Sequence, residues 1–109
     1  MARLNSAAAI SISRGMNEIL SVSDSAMQIK LSEIILANKD TEHTAKVAVH
    51  IYKAEIETTV VIIPNITLQP AESNIIKLST HLSPGDAVLV ETNVANQVDT
   101  IISCVEFPF

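Results

Sequence analysis

The side chains of this chain that could move protons, attack a carbonyl or hold a metal are three histidines, one cysteine and twelve acids. His43, His50 and His81 are expected in a turn, a strand and a loop, without the close spacing of a zinc site. Cys104 could pair with a distant histidine as a nucleophile. It stands in an apolar run, however, where a thiol behaves as a small inert hydrophobe. Glu55 and Glu57 lie two apart and would share one face of a strand. Paired carboxylates can cleave glycosides, but that chemistry needs a polar, aromatic-lined cleft that nothing else here suggests. Asp86 and Glu91 could touch a calcium ion, yet no acidic loop supplies the further oxygens. Asn65-Ile66-Thr67 matches a glycosylation acceptor, a pattern common by chance. With two glycines in all, a glycine-rich phosphate loop cannot be built. No catalytic residue, cofactor or metal is expected.

The bulk composition removes further classes. A net charge of −5 disfavours nucleic acid, which needs a basic face. Tyr52, Phe107 and Phe109 are the only aromatics, too few for a base-stacking platform or a sugar-binding one. No run approaches the roughly 20 apolar residues of a membrane helix. Asn5, Ser6, Ser11 and Ser13 interrupt the apolar stretch that a signal peptide would need, so no leader is expected. A lone cysteine makes no internal disulfide. Hydrophobic residues form 48% of 109 positions and charged ones 17%. A domain this small cannot hide so much apolar side chain internally, so part of it is expected in contacts between subunits, as in a homo-oligomer.

The elements that must position these residues are strands. Gln28–Ala37 opens with strict alternation, then turns apolar on both faces, as if diving under a neighbour. Ala45–Tyr52 alternates again, with Val47, Val49 and Ile51 on one face. Glu57–Ile63 is rich in β-branched residues, and Pro64 is expected to end it because proline cannot donate to a ladder. Short strands follow at Ile66–Leu68 and Asn74–Leu78, then Ala87–Thr92 and Val98–Phe107. In the turn Pro84-Gly85-Asp86, proline presets the first central position and glycine supplies the positive φ of a type II turn. The spacing predicts an all-β fold: a single antiparallel β-sandwich of about eight short strands, jelly-roll or immunoglobulin-like.

Residues 1–17 differ from the rest. They hold two arginines and no acid, a charge of +2, whereas residues 18–109 hold five lysines against twelve acids, −7. The sequence therefore divides into an extended N-terminal arm, 1–17, and a sandwich domain, 18–109. The arm is read either as a frayed terminus or as a segment that orders against the acidic body of a neighbour, with Arg3, Leu4, Ile10, Ile12 and Arg14 as its contact residues.

In order, the chain shows the apolar-x-Asn element Ile34-Ile35-Leu36-Ala37-Asn38, the valine strand and the step Ile66-Thr67-Leu68-Gln69-Pro70. Leu82, the Pro84-Gly85-Asp86 turn and the closing pair Glu106-Phe107 follow. In this order the chain resembles small β-sandwich virion structural proteins of tailed bacteriophages, over about residues 19–107. The resemblance implies a non-enzymatic part of a virion, made in the host cytoplasm. It would decorate or cement the capsid or serve in the neck, tail or fibre attachment, with other capsid, neck or tail proteins as partners. A carbohydrate- or receptor-binding sandwich is the alternative; an exported adhesin or pilus subunit is a third.

Overall fold

Eight strands and no helix make up residues 3–108, which the computed structural model describes: β1 (Arg3–Ala9), β2 (Gly15–Ser21), β3 (Met27–Asn38), β4 (Ala45–Lys53), β5 (Thr58–Leu68), β6 (Ser73–Leu82), β7 (Ala87–Thr92) and β8 (Val98–Pro108). They form two four-stranded antiparallel sheets, ordered β1-β8-β3-β6 and β2-β7-β4-β5. The all-β sandwich expected from periodicity is the fold. Between its two possible strand orders, the structure decides for the jelly roll. Strands pair 1 with 8, 2 with 7, 3 with 6 and 4 with 5, as one long hairpin rolled up on itself.

Alternation builds the core where it was legible. Val49 and Ile51 of β4 face Val90 and Val88 of β7 within one sheet, Val47 faces Thr92, and all six are buried. Ile29, Leu31, Ile34 and Leu36 of β3, with Val98 and Ile102 of β8, fill the opposite wall. β3 does not dive under a neighbour. A register shift between Leu31 and Glu33 moves its inward face from odd to even positions, which is why its apolar residues break alternation.

Pro64 does not end a strand. β5 runs through it, merging two stretches that the sequence separated. In the β4–β5 register, Val47 faces Ile66 and Val49 faces Ile63, so β5 carries an extra residue at Pro64–Asn65. β5 is an edge strand, and a bulge on an edge is where a missing N–H does least harm. Glu55 and Glu57 are likewise not on a strand face. They belong to the β4–β5 turn, closed by the Glu57 N–H on the Ala54 carbonyl, with Glu57 at a φ of 51°. His81, expected in a loop, lies in β6.

Residues 3–9 and 15–21 lie along their own chain, as β1 on β8 and β2 on β7. The division drawn from charge at residue 17 falls inside β2. β1 and β2 thus form one side of the sandwich, and β5 and β6 the other. The β1–β2, β3–β4, β5–β6 and β7–β8 connections share one end, here called the crossover end; the remaining turns share the opposite end.

Candidate assembly surface

The residues that could have done chemistry are dispersed. His43 is exposed and accepted into the β3–β4 turn, its Nδ1 3.2 Å from Asp40 Oδ1. His50 is buried on the outward face of β4, its Nε2 3.1 Å from Glu91 Oε1. His81 packs edge-on against Phe107, with ring centroids 6.0 Å apart. Cys104 faces the core, and burial, reinforced by the charge of Glu106, pushes its thiol pKa up, away from the reactive thiolate. Asn65 is exposed within β5. Among the described residues, no three His, Cys, Asp or Glu side chains gather as metal ligands.

Asp86 and Glu91 are not brought together. Glu91 engages His50, while Asp86 is buried and organises the end opposite the crossovers. Its carboxylate accepts from Lys53 Nζ at 2.7 Å, from the Ala54 N–H at 2.9 Å and from the Ser83 N–H at 2.9 Å. Burial raises its pKa, but these three donors together prevail and hold it below the usual carboxylate value. The adjoining turn closes by the Asp86 N–H on the Ser83 carbonyl at 3.0 Å, with Pro84 and Gly85 central and Gly85 at a φ of 92°. Gly85 also donates to the Val22 carbonyl, and Val22 to that of Asp86, so one turn ties three connections.

At the crossover end, Asn38 has the corresponding role. It is buried, its Nδ2 donating to the carbonyls of His43, Leu68 and Gln69, its Oδ1 accepting from the Asp40 N–H. The asparagine singled out in the sequence as the end of an apolar strand therefore stitches the β3–β4 and β5–β6 connections together. Nothing in its strand periodicity announced this, because its partners lie up to 31 residues away.

Of the residues proposed for the arm, Leu4 and Ile10 stand in solvent, 85% and 78% exposed, and Arg14 is exposed and makes no ion pair among the described residues. Arg3 opens β1; its side chain lies outside the described set. Ile12 is not a surface contact. It is 4% exposed, in the core, because Ser11 takes a φ of 52° and turns the chain between the sheets. Ile12 then hydrogen-bonds Val98 and Asn96 through its backbone. Ser11 is held by its own N–H on Asp99 Oδ1 and by Lys39, which bonds the Ser11 hydroxyl and pairs with Asp99 at 3.1 Å.

The opposite side carries a second set of exposed apolar residues. β5 has no charged residue along its whole length, and Val60 and Val61 lie open on it; Ile75 on β6 is 58% exposed. Edge strands of this kind are normally guarded by charge or covered. A shallow concavity of about 410 Å³ lies on the outer face of the second sheet beside Tyr52, Glu18, Thr59 and Leu89. With Tyr52 as its one aromatic, it lacks the stacked rings of a sugar platform.

No protein-family model matches this chain, and no curated protein matches it in sequence. Solved structures do match its shape. The Drosophila NLP core, described for pentamer formation and histone binding, superposes at a TM-score of 0.58 with 10% identity, covering 96% of this chain and 98% of that one. VP2 of the infectious bursal disease virus subviral particle gives 0.57 and 10%, over 98% of this chain but 33% of that one. A Bacillus endospore appendage, described as a disulfide-linked pilus, gives 0.50 and 13%, over 100% and 86%. This chain therefore spans about a third of the viral protein's length. At these identities the likeness is one of fold.

Proposed function

We propose that this chain is a non-enzymatic structural subunit of a virus particle, of the kind found in tailed bacteriophages, where it assembles with copies of itself and with capsid, neck or tail proteins. The observation that carries the reading is the pairing of a jelly roll with two unguarded sides: bare Leu4 and Ile10 on one, and the uncharged β5 with exposed Val60 and Val61 on the other. A chain folded this way gains most by burying those sides, since each fully covered Val, Leu or Ile contributes roughly 1.5–3 kcal/mol. Its active chemistry is contact, because His50, Asp86 and Cys104 are spent on an ion pair, a turn and core packing. The shape shared with a viral capsid protein, a pilus subunit and a pentamer-forming core supports an assembly role. The N-terminal residues act as the contact arm, with Leu4 and Ile10 exposed along it and Ile12 as its anchor in the core.

The test is a copy count by quantitative mass spectrometry on purified particles of the virus encoding the chain. Hundreds of copies, on the order of a capsid lattice, would mark decoration or cement; about a dozen would mark a neck or tail ring. Its absence from the particle would overturn the reading.

A further inference from the structure

Both sheets of this sandwich have even strand number and strictly alternating direction, and that has a geometric result. β1 and β6, the two ends of one sheet, run antiparallel to each other, and so do β2 and β5, the two ends of the other. A second copy placed beside the first in the same orientation therefore presents β1 antiparallel to β6 and β2 antiparallel to β5. Antiparallel alternation continues across the junction in both sheets at once.

A two-fold arrangement, β5–β6 against itself, also allows antiparallel pairing, and charge decides between them. The β5–β6 side is acidic at both ends: Glu55 and Glu57 at the end opposite the crossovers, Glu72 at the crossover end, all exposed. Two-fold symmetry would set these acids against one another. Placed head to tail, the side instead meets the β1–β2 side, where Arg14 lies at the crossover end, level with Glu72. There the exposed acid of β2, Glu18, falls on the row of Val61 in the uncharged β5 and so meets no acid. Exposed apolar residues lie along both sides, Leu4, Ile10 and Met16 on one and Val60, Val61 and Ile75 on the other.

We infer that the β5–β6 side of one copy docks on the β1–β2 side of a second copy of this chain, head to tail, extending both sheets. Such a contact is heterologous and yields a closed ring or a filament, not an isolated two-fold dimer. The inference rests on the assembly reading above and gives that assembly its interface. The particle count asks whether the chain is a virion part; the experiment below asks only how copies join.

Two variants of the full chain each block one side with exposed lysines: Val60→Lys with Val61→Lys, and Ala8→Lys with Met16→Lys. Circular dichroism verifies that both keep the strand signal, as surface positions allow. In native mass spectrometry the wild type is expected as rings or longer series. Each variant alone is expected as monomer, and their equimolar mixture as a dimer, because one intact junction remains to join them. A monomeric wild type overturns the inference, as does a β1–β2 variant that still self-associates or a mixture that stays monomeric.

Discussion

The backbone N–H of Ser11 donates to Oδ1 of Asp99 at 2.7 Å, fastening the crossover between the two sheets to the start of β8. Ser11 holds a left-handed φ of 52° there, a conformation costly for serine unless its surroundings impose it. The carboxylate, with Lys39, imposes it, and the adjacent Ile12 is delivered to the core as a result.

Asp99→Asn should therefore lower stability at neutral pH by about 1 kcal/mol, modestly because the carboxylate is over a third exposed and water screens it. The Ser11 N–H, helped by Lys39 and opposed by partial burial, holds the Asp99 pKa below its ordinary 3.8. A depressed folded pKa gives stabilisation that is complete above the unfolded value and disappears as pH falls through the folded one. Urea unfolding at neutral pH and again well below 3.8 should show the gap between wild type and variant closing on acidification. A gap that widens in acid would refute the clamp.

Gly85 is required twice over. Its φ of 92° suits no side chain, and a Cβ there would sit 2.8 Å from the Cβ of Ala54. Gly85→Ala should cost roughly 1–3 kcal/mol by thermal or urea unfolding. Adding Ala54→Gly should recover the part due to the clash and leave the part due to φ. Full recovery would show that the backbone carries no strain.

Thr100 sits inside the sandwich, between Ala9 and Leu36 in the sheet register, and its hydroxyl has no hydrogen-bond partner among the described residues. Thr100→Val keeps the shape and removes a buried unsatisfied group, so the variant should be more stable by about 1 kcal/mol. A loss in the denaturation midpoint would mean that the hydroxyl is satisfied.

Local pattern made much of this protein legible. Val47, Val49 and Ile51 declared their inward face by alternation, because side chains on a strand point to opposite sides with a period of two residues. Pro84 and Gly85 declared their turn, because their backbone preferences belong to the residues themselves.

What only tertiary structure decided depended on who stands next to whom. Pro64 is harmless because β5 happens to be an edge, and no residue within β5 encodes that. Asn38 and Asp86 look like a strand end and a turn residue, yet each joins connections that are distant in sequence. Ile10 and Ile12 read as equivalent, and a single left-handed serine, held by a carboxylate 88 residues away, sends one to solvent and the other to the core. Periodicity is written within each strand. Strand order, and with it the choice of a jelly roll, is written only in the long-range pairings that bury those strands together.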